Sequence, residues 1–513
     1  MSFTPNTQVR LLNVPLDENY QNTMDFSSIE EQTNYFIGAT LPNSAFTDFT
    51  YQRLEEEVRV PLNAELLYNA NYIMFQNTNY HNKWFYGFVT NIRYINPQTT
   101  GIKFKIDAIQ TWLFQMHLNQ CIVEREHVTD DSVGAHTLNE NIEVNELICN
   151  NFYREGYSGQ YYYIMNTTVD PNTATDVTSG GRYNGVLSAG RWFAWTSIDT
   201  FKEKLNAIIS GGKESAIINV FMLPTELITT NKNGEVTESL TGLTENVSHP
   251  KLTSCNGYTP RNKKLLTYPY CSIRVSNNNS SFVEMRPERF AEATATFVIR
   301  KASNSNCVMA ITPSNYNGNS DGDFRYTVEL PPFPTCQWTN DPYATWLNQN
   351  GTSNGLGFIG SIASGAMSGF ALGGPAGAGL GALTGGLSSA LSLIGKSVDM
   401  DAQPLSARGS TSTNTINSSL QQNLFKIEML SVKAEQARVI DNFFDVYGYK
   451  VAVLKTPQLR TRQYWNYIKT NDCNITGSIP KDDLTTIRNA FNKGITIWHD
   501  SDVGNYNRNN SIR

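Results

Sequence analysis

Hydrophobic and polar residues alternate in short runs along most of this chain, and then the alternation stops: from 342 to 395 there is no Asp, Glu, Lys, Arg or His. Before that stretch the pattern is mainly that of strands. Ile102, Phe104 and Ile106 alternate with Lys103, Lys105 and Asp107, the period of a half-buried strand. Residues 67–74 and 83–94 are apolar and aromatic, and the Asn-rich polar stretch 76–82 between them predicts a hairpin. Further strands are predicted at 216–223, 268–275 and 294–301. Ser197, Ile198 and Asp199 offer N-caps for a helix over 200–209, and Gly211 and Gly212 end it. The stretch 229–254 reads as a polar loop, and Pro331, Pro332 and Pro334 mark a break. After the uncharged run, 398–420 is polar and rich in Ser, Thr and Asn, the pattern of an extended linker. Helical spacing returns over 433–446, where Ala434, Ala437, Val439, Ile440 and Phe443 are apolar. Strands at 450–454 and 464–469, a helix over 481–491 stopped by Lys493-Gly494, and a strand at 495–498 complete the chain.

Within the uncharged run glycine recurs at every fourth position: Gly365, Gly369, Gly373, Gly377, Gly381 and Gly385. Gly373-Gly374-Pro375 is a break signal that divides the run into two arms, 356–372 and 376–395. As a helix each arm would be about 25–30 Å long, close to the roughly 30 Å of bilayer hydrocarbon. The first arm carries Leu356, Phe358, Ile359, Ile362 and Phe370. In the second, Leu380, Leu383, Leu387, Leu391 and Ile394 share one helical face. Glycines four apart let another backbone approach closely. A permanent anchor would carry more Leu, Ile and Val, and each glycine costs a helix about 1 kcal/mol relative to alanine. Two readings stand side by side. In one, a weakly apolar hairpin lies first against protein and later enters lipid. In the other, a Gly/Ala-rich loop packs inside an oligomer and never meets lipid.

Length and charge narrow the classes. At 513 residues the chain has room for two to four domains. A net charge of −6 leaves no basic footprint for clamping nucleic acid. The seven cysteines, Cys121, Cys149, Cys255, Cys271, Cys307, Cys336 and Cys473, are scattered and form no CxxC. That spacing speaks against a disulfide framework or zinc site and for thiols kept reduced in a cytosol. The polar start MSFTPNTQVR is not a signal peptide.

Enzyme signatures are missing: there is no HExxH, GxSxG, P-loop or GxGxxG, and the six histidines have no metal-ligand spacing. No catalytic residue, metal or cofactor is therefore expected. The densest polar cluster is Glu124-Arg125-Glu126-His127, followed by Asp130 and Asp131. Paired carboxylates beside a histidine suit acid–base work. Nothing nearby supplies a nucleophile or cofactor loop, so salt bridges at a strand end are the stronger reading. Cys121 alone reads as a buried small residue rather than a nucleophile.

Several long aromatic strings resemble the distal tail knob protein of small short-tailed bacteriophages, the group that includes the protein-primed Bacillus podoviruses. They are VRLLNVPLDENYQNT (9–23), LYNANYIMFQNTNYHNKWFYGFVTNI (67–92), FKIDAIQTWLF (104–114), IVEREHV (122–128), YPYC (268–271), VYGYKV (446–451), LRTRQYWNYIKTNDCNITG (459–477) and GITIWHD (494–500). The resemblance is dense over 9–128 and 440–513 and thin over 131–260 and 275–345.

The resemblance implies a β-rich α+β protein of several domains. Residues 1–130 and 425–513 would combine into a β-structured tube domain, with 131–345 a middle or outer knob region. Residues 346–397 would be an apolar plug loop and 398–424 a polar linker. It further implies a ring, a hexamer, at the tail tip of the virion, folded beforehand in the host cytoplasm. The implied partners are identical copies, the upstream tail or lower collar protein, and host membrane lipid. Viral DNA would pass through the lumen without specific binding. The plug would leave the channel at ejection and penetrate the host membrane; alternatively, it only plugs a conduit and never enters lipid. The acidic balance fits a DNA conduit, because Lys/Arg contacts to phosphate would retain the genome.

Overall fold

The alternating residues around 102–106 form part of the strand Thr99–Ile106. In this computed structural model Ile102, Phe104 and Ile106 are buried, while Lys103 and Lys105 are exposed. Asp107 departs from the polar set and is only 1% exposed. Its carboxylate accepts from the Gln110 amide at 3.0 Å, capping the helix Ala108–Trp112, and from the Tyr72 hydroxyl at 2.8 Å. The structure describes residues 7–337 apart from 50–56, 78–80, 157–159, 178–179, 184–185, 189, 214–215, 240–242, 278–280, 303–307, 318–325 and 331–334, together with 410–411 and 424–513.

The chain forms two units. One consists of Met1–Val144, Gly257–Leu265 and Ala434–Arg513, and the other of Asn145–Asn256 and Leu266–Lys433. The N- and C-terminal regions thus combine in one β-rich unit, joined by a short excursion from the middle of the chain.

The first unit contains a six-stranded antiparallel sheet in the order Thr40–Phe49, Thr7–Leu12, Tyr72–Asn77, Trp84–Asn96, Thr99–Ile106 and Glu57–Val60. Tyr72–Asn77 and Trp84–Asn96 form the expected hairpin, with Tyr72 opposite Phe88 and Gln76 opposite Trp84. Both faces of its strand Tyr72–Asn77 are covered. Ile73 and Phe75 pack with Val9, Leu11, Ile102 and Phe104 on one side. Tyr72 and Met74 pack with Phe36, Trp465 and Trp498 on the other. A two-sided strand needs apolar residues at every position, which is why 72–75 shows no alternation.

A five-stranded sheet in the same unit runs Asn22–Met24, Ile495–Trp498, Trp465–Asn471, Cys121–Glu126 and Tyr449–Lys455, interleaving both chain termini. The fully buried Trp465 and Trp498 rings lie 5.2 Å apart at its centre. The helix Lys481–Lys493 stops at Gly494, as its sequence signal predicts. Gly494 has φ +103° and a Cβ there would meet the Tyr467 hydroxyl at 2.2 Å, so only glycine fits. The helix Ala434–Tyr447 is turned relative to the expected apolar face. Ala437, Ile440, Asp441 and Phe444 are buried, whereas Val439 is 70% exposed.

The second unit holds three larger sheets. Ile148–Gly156, Leu424–Ser431, Cys271–Ser276 and Phe282–Met285 form the first. Arg191–Trp195, Tyr161–Thr167, Ile217–Pro224, Thr335–Gln337 and Ser410–Thr411 form the second, and Leu243–Pro250, Thr294–Ala302, Val308–Pro313 and Val328–Glu329 the third. The helix Ile198–Ser210 is capped by Ser197 as expected, and packs Phe201, Leu205, Ile208 and Ile209 against Tyr163, Met165 and Val220. The expected polar loop at 229–254 is instead largely strand, including Leu243–Pro250. That strand is an edge, hydrogen-bonded along one side to Thr294–Ala302, and its Thr244, Glu245 and Asn246 are exposed. Backbone pairing, not apolar patterning, makes it a strand.

Candidate functional site

The sites expected from sequence, Leu356 through Ile394 on the two arms, lie outside the described residues. The structure does describe where that segment begins and ends. Thr335–Gln337 pairs antiparallel with Ile217–Pro224, placing Cys336 opposite Val220 and Thr335 opposite Phe221. Ser410–Thr411 pairs with the other side of the same short strand, Gln337 opposite Ser410 and Cys336 opposite Thr411. The two strands that flank residues 338–409, 72 in all, therefore lie side by side, about 4.8 Å apart. The base is built on a buried floor, since Val220 and Phe221 are 4% and 2% exposed. The sequence gives almost no warning of this root. Thr-Cys-Gln and Ser-Thr are too short and polar to declare strands, and Ser410–Thr411 falls within the stretch read as linker.

The polar cluster at 124–127 is the other candidate. Its strand, Cys121–Glu126, lies between Trp465–Asn471 and Tyr449–Lys455. Glu124 points its carboxylate at Lys469, 2.9 Å away, and both are partly exposed. Glu126 is buried and ion-paired with Lys455. His127 is buried, and both ring nitrogens face backbone groups. Nδ1 accepts from the Tyr467 amide at 2.8 Å, so Nε2 carries the proton and donates to the Asp445 carbonyl at 2.9 Å. Burial, helped by the Arg462 charge, pushes its pKa down to about 3. A neutral histidine with both nitrogens used is a structural part, with no free position for a proton relay. Cys121 is likewise buried in this sheet, as expected.

Asp441 organises the remaining charge in this unit. It is fully buried on the helix Ala434–Tyr447 and receives the excursion Gly257–Leu265. Its Oδ2 accepts from the Tyr258 hydroxyl at 2.7 Å and the Arg261 amide at 2.8 Å. Its Oδ1 accepts from the Asn262 amide at 3.0 Å and side chain at 2.8 Å. Nearby, buried Glu140 ion-pairs with Arg125 and Lys264 and accepts from the Lys450 amide at 2.9 Å. Sequence spacing could not show this, because the partners are separated by up to 310 positions. These carboxylates hold chain segments together. Among the described residues no group of His, Cys, Asp and Glu is arranged to hold a metal ion. An open cleft of about 540 Å³ beside Asp25 and Arg460 is no better equipped, because those two charges pair with each other.

Known proteins resemble this chain in sequence and in fold. Residues 230–511, more than half of it, match the family described as Bacillus phage phi29 tail knob protein gp9, C-terminal domain. The chain belongs to this tail knob family. Residues 5–117 also match the N-terminal part of the caudoviral major tail protein. Tail knob protein gp9 of Bacillus phage PZA is 27% identical, and that of phage phi29 25% identical, each alignment covering all of both chains. The fold is that of the bacteriophage C1 tail knob protein gp12, with a TM-score of 0.67 and 15% identity over 99% of this chain and all of that one. This tail knob chain is thus a structural component of a phage tail. The stretch matched to the gp9 family includes the entire 338–409 excursion and both strands of its root.

Proposed function

We propose that the protein forms a ring at the tip of the phage tail and that the 338–409 excursion is its moving part. Six copies would surround a channel, joined above to the upstream tail or lower collar protein. Before infection the excursions fill the lumen and shield one another. On release they meet the host membrane and open a route for DNA. No catalysis or cofactor is needed. The observation that carries this reading is the root: an uncharged, glycine-patterned segment is tied at both ends to adjacent positions of a buried sheet. Such a segment can be displaced as one hairpin without disturbing the register behind it. In lipid its amides need internal partners, which two helical arms joined at Gly373-Gly374-Pro375 would supply.

The second reading keeps the ring and the plug but leaves membrane breaching to another component. The weak hydrophobicity of the glycine-rich arms favours it. Dye release from liposomes separates the two. Assembled wild type and a variant lacking residues 351–395 are compared at neutral and mildly acidic pH, with rings checked by electron microscopy. Leakage from wild type alone, with rings from both, supports membrane entry. Rings without leakage from either reduce the segment to a plug. A protein that stays monomeric and inert toward lipid under every condition overturns both.

A further inference from the structure

The sequence scatters its cysteines, but the fold brings Cys121 near Cys473 in the first unit and Cys255 near Cys271 in the second. Cys255 and Cys271 lie in the second unit with their sulfurs 3.9 Å apart, and both are buried, at 0% and 1% exposure. Their backbones are held by one local set of bonds. The Asn150 side chain accepts from the Asn256 amide at 2.9 Å and donates to the Ser431 hydroxyl at 2.8 Å. Ser431 is in turn the strand partner of Cys271. The placement relative to the chain is equally specific. After Asn256 the chain gives Gly257–Leu265 to the first unit and returns at Leu266. The two thiols therefore bracket that excursion, one just before it and one just after it.

We propose that Cys255 and Cys271 are a modification site: a thiol pair that closes to a disulfide when the protein leaves a reducing compartment and meets a small disulfide such as oxidised glutathione. This goes beyond the tail-tip reading and stands whether or not the 338–409 segment enters lipid. The Cys255 thiolate attacks one glutathione sulfur, and the other glutathione leaves as thiolate. Cys271 sulfur then attacks Cys255 sulfur in the mixed disulfide and expels the second glutathione. The protons of both cysteines end on the two released thiols, and two electrons pass from the protein to the oxidant. The sulfurs must close from 3.9 Å to about 2.05 Å to form the bond. The hydrogen bond with Cys255 and burial hold the Cys271 thiol well above its ordinary range. Reaction therefore proceeds through brief opening of the turn at the exposed Asn256 and Gly257, over minutes to hours. The product closes the base of the excursion covalently.

The test uses the intact, natively folded protein. It is incubated with oxidised glutathione, quenched with N-ethylmaleimide in denaturant, and mapped by mass spectrometry without reduction. The expected result is one dominant cross-linked peptide pair containing Cys255 and Cys271, lighter by two hydrogens, accumulating over hours. Cys473→Ser retains it and Cys255→Ser loses it. The wild-type map decides the matter even if a variant misfolds. Full alkylation of both cysteines after prolonged oxidation overturns the proposal. So does glutathione retained on Cys255, or cross-links spread evenly over other cysteines.

Discussion

Replacing Asp441 by asparagine keeps the shape of the side chain and removes one acceptor. Whichever way the amide turns, its NH2 faces a donor. With Oδ kept toward Asn262, the NH2 meets the Arg261 amide and the Tyr258 hydroxyl, and only the hydroxyl can turn to accept. A hydrogen bond to a charged acceptor contributes about 1.5–3 kcal/mol, and leaving a donor unmet costs about 1–3 kcal/mol. Arg261 is partly exposed and its amide regains some water, so the net cost is about 3 kcal/mol rather than the full sum. At 1.4 kcal/mol per factor of ten, detachment of Gly257–Leu265 becomes roughly a hundredfold more populated. That segment carries its own reporter, because trypsin cuts after Arg261, Lys263 and Lys264. When reclosing outruns cleavage, the native cleavage rate follows the open population. Asp441→Asn should therefore be cut there roughly a hundredfold faster. Asn442→Ala, which loses only the exposed bond from Arg261, should change the rate by less than about fivefold. An unchanged rate in a folded Asp441→Asn protein would refute the claim that this carboxylate anchors the excursion.

Gly448 has φ +65°, and a Cβ there would lie 2.2 Å from the Glu126 carbonyl oxygen; Gly448→Ala should lower first-unit stability by at least about 2 kcal/mol, read as a lower urea midpoint by tryptophan fluorescence. Phe201 is fully buried on the helix Ile198–Ser210, so Phe201→Ala should cost about 3–5 kcal/mol and lower the thermal midpoint of the second unit. Acid should weaken the first unit. His127 and His499 are held neutral with pKa values near 3 and 4, so their stability is full above 6.5 and lost as pH falls below it. Asp107, raised by burial to about 6, acts oppositely: its stabilising contribution is full below 3.8 and lost as pH rises through 6. Two histidines against one carboxylate give a net loss of about 3–4 kcal/mol from pH 6.5 to 4, and a flat urea midpoint over that range would contradict it. Glu124→Gln removes one exposed ion pair with Lys469; wild type and variant should release equal, background amounts of sugar from cell-wall material, and a loss confined to the variant would favour acid–base work by the 124–127 cluster.

Local signals were legible where one residue type answers one local need. Ser197 and Gly494 mark helix ends because a cap hydroxyl and a positive φ are properties of single positions. The 102–106 strand was legible because one face is wet. What escaped was decided by distant partners. Leu243–Pro250 is a strand because Thr294–Ala302 lies beside it, and its own polar residues hide the fact. Asp107 continues a polar alternation yet is buried, because Tyr72 and the next helix both need its oxygens. Val439 fits a helical stripe, but Asp441 takes the inward position, paired to residues some 180 positions away. The two-strand root has no hydrophobic pattern of its own, and the buried residues beside it, Val220 and Phe221, belong to another strand.

That root also bears on how such a protein can diverge. Gln337 and Ser410 sit side by side, so the two ends of the segment between them are held at one place in the sheet. Doubling its length adds only about 0.6 kcal/mol of closure entropy. A lineage can therefore change the length of the segment between these two strands at little cost in closure entropy.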